Sequence, residues 1–158
     1  MSEIIIQEFR DDDYITSLIT NDLIWPWVSD DSIVKSDYCP SDEMTYLEII
    51  TDGDRAGFFV IHPFGAFSTM IHTVIDPNYW GASVGYAKAV VNYIFAAMTT
   101  ENILTMIPED NTKAIRLAEK TGMTREGTLT KSIKKSGVFL SQHIYSINRG
   151  ANKCPQQQ

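Results

Sequence analysis

The sequence predicts an α/β (α+β) fold: a mixed, mostly antiparallel central sheet of six to seven strands flanked by helices. Three observations carry that expectation. From Met44 the chain runs as a meander of short apolar strands, with a tight Asp-Gly turn signal at Asp52 and Gly53. Two stretches of helical period, residues 84–98 and 111–120, then enclose a strand-like apolar run at 101–107. The last third returns to strand, in a hairpin about Lys134, Lys135, Ser136 and Gly137. No repeat or linker divides the 158 residues. One domain over 1–148 is expected, followed by a tail at 149–158 without fixed structure.

Each element has a local cause. Residues 4–9 (IIIQEF) are short and β-branched, which favours a strand. Asp11, Asp12 and Asp13 then supply an N-cap and an acidic first turn for a helix over 12–20. Residues 25–31 (WPWVSDD) have no regular period and read as a loop or a broken helix. Trp25 and Trp27 either cover the core edge there or line a cleft. Residues 46–51, 56–62 and 67–75 are the meander strands, with a second turn at Pro63, Phe64 and Gly65. In 84–98 the apolar positions Val84, Ala87, Val91, Ile94, Phe95 and Met98 form a core-facing helical stripe. Residues 101–107 (ENILTMI) are apolar enough for a central strand covered on both faces. Asn111 opens the next helix and Gly122 stops it. Residues 124–134 and 138–148 form the closing hairpin.

Composition bounds the function. Apolar residues make up 44% of the chain, which supports an ordinary core and argues against disorder. No apolar run approaches the roughly 20 residues of a membrane span. The start, MSEIIIQE, lacks the basic residues and cleavage site of a signal peptide, so a cytoplasmic protein without a membrane partner is expected. Cys39 and Cys154 lie far apart without metal-ligand spacing, as expected of thiols in a reducing compartment with no metal. A net charge of −7 disfavours nucleic acid, which needs a basic surface, and suits a cationic acceptor such as an amine.

Two segments carry the chemistry. Residues 75–85 (IDPNYWGASVG) read as a strand ending in a turn that opens a helix. That geometry presents free backbone N–H groups to an anion such as a diphosphate. Residues 111–127 (NTKAIRLAEKTGMTREG) read as an Asn-capped, Gly-stopped helix followed at once by a strand.

Together these segments resemble the acyl-CoA-binding half of the GNAT acyltransferase superfamily. The second resembles the N-x-x-A-x-x-x-x-x-x-x-G-F-x-x-E-G signature of the branch related to ribosomal-protein N-terminal acetyltransferases, with Met123 in place of Phe. The first departs from the family's Arg/Gln-x-x-Gly-x-Gly/Ala phosphate turn: Trp80 replaces Arg or Gln and Ser83 replaces the middle Gly. Gly81 and Gly85 remain. A glycine lets backbone approach phosphate closely, whereas Ser83 adds a Cβ and a hydroxyl able to bond it. Similarity also extends to phage-encoded GNAT-like proteins.

The resemblance covers about residues 49–147 and implies a sheet splayed between its fourth and fifth strands, with acetyl-CoA as co-substrate. Thr73, Val74 and Ile75 would pair their backbone with pantetheine. Trp80, Gly81, Ala82, Ser83, Val84, Gly85 and Tyr86 would form the diphosphate turn. Asn111 would bond the pantetheine arm, cap its helix, or do both.

His72, near the expected thioester, is the leading candidate base, because imidazole titrates near neutrality. The alternative is a histidine bonded within the sheet. Glu48 and Tyr46, on a neighbouring strand, are further candidates. Many relatives carry a tyrosine acid about eight residues after the Asn; here that position is near Ala118, which has no proton to give. The implied activity is acetyl transfer to a primary amine of a protein or small molecule. The alternative is an inactive GNAT-fold interaction module, associated with virion assembly. A homodimer through residues 138–148 is also expected, as an exposed strand edge invites pairing.

Overall fold

The computed structural model describes residues 2–151. Among them seven strands form one sheet in the order β1-β2-β3-β4-β5-β7-β6. β1 (Ile4–Phe9), β2 (Thr45–Thr51), β3 (Asp54–Pro63) and β4 (Ser68–Ile75) pair antiparallel in sequence order. Asp52 and Gly53 join β2 to β3 with φ of 51° and 90°, the left-handed pair that such a hairpin requires. β4 lies parallel to β5 (Asn102–Pro108), and α3 (Ser83–Ala97) makes the crossover.

β4 and β5 pair only where Ser68, Thr69 and Met70 meet Asn102, Ile103 and Leu104. Thr69 and Thr100 bond through their hydroxyls at 2.7 Å beside this junction. Past Met70 the two strands part, and the expected splay is present.

β7 (Val138–Asn148) is inserted between β5 and β6 (Thr124–Lys135). This corrects the expectation of a free edge at 138–148. Residues Gln142 to Ser146 carry ladder partners on both sides, so the edge on this side of the sheet is β6. A two-strand hairpin pattern cannot say which of its strands turns inward.

Two helical layers cover the sheet. Against one face α3 buries Tyr86, Ala87, Val90, Val91 and Ile94 on Leu47, Phe59, Ile71 and Ile103, and α4 (Thr112–Thr121) adds Ala118. Against the other, α1 (Asp12–Ile19) buries Ile15, Leu18 and Ile19 on Tyr46, Phe58 and Val74. Asp11 caps α1 by accepting from the Tyr14 amide at 3.0 Å. Where a loop or broken helix is expected, α2 (Trp25–Val28) forms one turn, with Pro26 in its first positions. No helix among the described residues is long and apolar enough to cross a membrane.

Two anchors went unread in the sequence. Gly57 has φ of 140°, and a Cβ there would lie 2.3 Å from the Val74 oxygen and 2.7 Å from the Ile75 Cα. Only glycine lets β3 approach the end of β4 so closely. Arg149, where the tail is expected to begin, donates to the carbonyls of Phe95, Met98 and Thr100 and so caps the end of α3. Most of the expected tail, residues 152–158 with Cys154, lies outside the described residues.

Candidate active site

The splay opens a groove through the sheet. One part, of about 490 Å³, runs along residues 73–75 to Trp80, Gly81, Ser83, Val84 and the exposed flank of α4. The other, of about 520 Å³, reaches from β5 past His72 to the α1–α2 side. Thr73, Val74, Asn111, Ala114 and Leu117 line both. β4 has no ladder partner on its β5 side past Met70, which leaves an unpaired strand edge facing this space.

The phosphate end differs from the sequence reading in detail. Instead of an open turn, residues Pro77–Ala82 form a 3₁₀ helix that runs directly into α3. Three amides here are spent locally, two in the 3₁₀ helix and one, that of Ser83, at the start of α3. Asn78 donates to the Asp76 carboxylate at 2.8 Å, Tyr79 to the Asp76 carbonyl at 2.8 Å, and Ser83 to the Trp80 carbonyl. No side chain caps the first turn of α3, and its Ser83 amide is bonded to the carbonyl of the preceding 3₁₀ turn.

Trp80 lies along the wall: its indole N–H donates to the Ile75 carbonyl at 2.9 Å, so that oxygen already has one partner. The Ser83 hydroxyl donates to the Trp80 carbonyl at 2.7 Å, which directs its proton inward. Gly81 lines the groove with an ordinary φ, and a Cβ there would meet nothing within 4 Å. Its bareness leaves space on the ligand side. Gly85 and Tyr86 do not belong to the groove. The nearest atom to a Cβ on Gly85 would be Ile4 Cδ1 at 4.0 Å, and Tyr86 is buried in the α3 core. Ala82 is also absent from the groove wall.

The sequence reading missed a set of cations. Lys113, Arg116 and Lys120 project from α4 along this same end, at spacing that stacks them on one helix face. None forms an ion pair among the described residues. The Lys113 ammonium lies 4.8 Å from the centroid of Trp80, over its ring. In a chain of net charge −7, three unpaired cations on one wall make a local site for an anion. Their i, i+3, i+7 spacing after Asn111 was the available signal. Asn111 caps α4, its Oδ1 accepting from the Ala114 amide at 3.1 Å. Its Nδ2 makes no hydrogen bond among the described residues and borders the groove.

At the other end His72 lines the cavity with its side chain exposed to it. Burial, then the nearby His62, lowers its pKa from 6.5 to about 4, so the imidazole is neutral at physiological pH. The Nε2 atoms of His72 and His62 are 3.2 Å apart. Tyr46 lines the cavity too, its hydroxyl accepting from the Ser41 amide at 3.1 Å. Tyr38 joins the same wall, with its phenol pKa raised, chiefly by burial. Ala118, on α4, is buried against the groove as an inert methyl.

Glu48 does not reach the groove. It is buried between Arg55, which donates to one oxygen, and Gln7, which donates to the other at 3.0 Å. Arg55 also holds Asp11 at 2.8 Å, so Glu48 fastens α1 to the sheet. Its candidacy as a base is corrected accordingly, because the carboxylate is buried in an ion pair and borders neither part of the groove.

A family model described as the acetyltransferase (GNAT) family matches residues 7–123. No curated protein matches. Solved structures of similar fold include a GNAT-family acetyltransferase from Bacillus anthracis, at 22% identity and TM-score 0.73, covering 94% of this chain and 96% of that one. Spermidine N-acetyltransferase from Vibrio cholerae, in complex with CoA and spermine, has 15% identity and TM-score 0.77, covering 92% and 95%. Aminoglycoside acetyltransferase AAC(6')-Ib, in complex with coenzyme A and kanamycin, has 17% identity and TM-score 0.74, covering 94% and 96%. At these identities the likeness is one of fold.

Proposed function

The chain belongs to the acetyltransferase (GNAT) family, and we propose that it transfers an acetyl group from acetyl-CoA to a primary amine by direct attack. The observation that carries this reading is the through-sheet groove. One end is cationic, the middle is bounded by an unpaired strand edge, and the other end is occupied by a neutral histidine. Each part matches a different piece of the co-substrate.

The phosphates fit between Lys113, Arg116 and Lys120 on one side and Gly81, Ser83 and Val84 at the start of α3 on the other. The amides and carbonyls of the pantetheine arm fit the β4 edge at Thr73 and Val74, and Asn111 Nδ2 is free to donate to them. The acetyl group then faces the His72 end. Neighbours of the same fold carry CoA together with spermine or kanamycin, which supports the pairing of cofactor and amine.

In the reaction the amine nitrogen forms a bond to the thioester carbonyl carbon, the C–S bond breaks, and sulfur leaves as thiolate. The proton released from nitrogen passes to His72 and on to solvent. In the tautomer whose Nε2–H donates to His62, the Nδ1 of neutral His72 carries the lone pair that takes this proton. Tyr46 contributes wall surface at the acceptor end, its hydroxyl being engaged with Ser41. A thiolate leaves without an acid, which fits the inert Ala118.

The test is incubation of the protein with acetyl-CoA and a panel of primary amines, read by mass spectrometry for acetylated amine and free CoA. His72→Ala is expected to lower turnover by roughly 10²-fold while the acetyl-CoA-induced rise in melting temperature persists. An unchanged rate removes His72 from the mechanism, and no acetylated product with any amine overturns the reading.

A further inference from the structure

The acceptor end of the groove has walls that discriminate among amines. Trp25, Ile33, Tyr38, Met44, Tyr46 and Val60 surround it with aromatic and aliphatic surface. Trp25 and Tyr38 meet edge to face with centroids 6.2 Å apart, which fixes both rings in the wall. Asp30 is the single carboxylate among the described lining residues. Its Oδ1 already accepts from the amide of Ser32 at 2.8 Å and from the Ser32 hydroxyl.

Two nearby acids are committed elsewhere. Asp31 accepts from the amides of Ser136 at 2.7 Å and Gly137 at 2.8 Å, which straps the α2–β2 connection to the tip of the β6–β7 hairpin. Glu48 is closed by Arg55 and Gln7. A polycation entering this end would leave water with several ammonium groups and find few anionic partners, a costly exchange. An apolar body gains by the same move, because its surface leaves water. The net charge of −7 draws cations to the molecule at long range but does not alter these walls.

We propose that the acceptor is a primary monoamine carried on an apolar, aryl or branched aliphatic body, and that polycations are poor acceptors. This rests on the acetyl-transfer reading above. A free arylalkylamine and a peptide N-terminus beginning with an apolar residue share the required chemistry.

The experiment compares initial rates at fixed acetyl-CoA with four acceptors: phenethylamine, a short peptide beginning with phenylalanine, spermidine and kanamycin. The kcat/KM for phenethylamine or the peptide exceeds that for spermidine and kanamycin by about tenfold or more. Whichever of the first two is faster identifies the source of the apolar body within the class. Spermidine or kanamycin turned over as fast as either overturns the acceptor class and leaves acetyl transfer standing. No product with any of the four overturns acetyl transfer and the acceptor class with it. Ile33, exposed at the rim, offers a second reading that does not disturb the core. Ile33→Asp should shift the ratio of rates toward spermidine by about tenfold, with the acetyl-CoA thermal shift unchanged. An unaltered ratio contradicts the assignment.

Discussion

His62 and His72 meet tip to tip across β3 and β4, with Nε2 atoms 3.2 Å apart and rings 14° from parallel. Their centroids are 5.4 Å apart, too far for faces in contact. The pair is therefore an in-line N–H···N hydrogen bond, in which one nitrogen is protonated and the other bare. Protonating His72 places a charged ring directly against His62 in the groove wall.

Acid should destabilise the fold through this residue. Burial first, and His62 second, bring the His72 pKa from 6.5 down to about 4. Because the folded value is depressed, the unfolded chain binds the extra proton first as pH falls. The stability that neutral His72 contributes is thus present above 6.5 and lost progressively towards pH about 4. Thermal melts across this window should show a steeper decline for the native chain than for His72→Gln. Parallel curves would contradict the assignment.

Binding of acetyl-CoA should depend on salt and on α4. Removing Arg116 or Lys113 as alanine is expected to raise the Kd by about tenfold, roughly 1.4 kcal/mol, if each donates to a phosphate. Added salt should weaken binding to the native chain more than to the variants, because it screens the charges they lack. Calorimetric titration at two ionic strengths checks both effects. Equal affinities would place the phosphates elsewhere.

Gly57→Ala should damage fold and site together. The added methyl meets backbone of Val74 and Ile75, and neither can swing aside as a flexible side chain could. A loss of about 1–3 kcal/mol in stability is expected. Acetyl-CoA affinity should fall further than unfolding alone explains, since the displaced strand forms the groove wall. Urea melts and ligand titration at a folded concentration separate the two.

Much of this architecture was legible because local chemistry and tertiary structure agree. Asp52 and Gly53 demand the left-handed turn they adopt, Asn111 caps the helix it precedes, and Gly122 ends that helix at φ 97°. Features set by distant neighbours were not legible. The place of β7 inside the sheet depends on β5, thirty and more residues earlier in the chain. Glu48 looks like a free carboxylate until Arg55 and Gln7 are brought to it by the folding of three strands.

The site divides in the same way. His72, Asn111 and residues 73–75 fall beside one groove because a strand and a capped helix direct them there. Gly85 and Tyr86 belong to a familiar motif, but the helical phase turns them to the sheet. His62 was hidden by its position on an adjacent strand. Its relation to His72 arises from the β3–β4 register, in which Val60 stands opposite His72 and His62 opposite Met70.

The most direct measurement is an NMR titration of the isotopically labelled protein with acetyl-CoA, following backbone amides. Saturable shift changes should concentrate at Thr73, Val74, Gly81, Lys113 and Ala114, the residues along the cationic half of the groove. Absence of saturation at millimolar ligand, or changes confined to surfaces away from the gap between β4 and β5, would contradict the acetyl-CoA site on which the account depends.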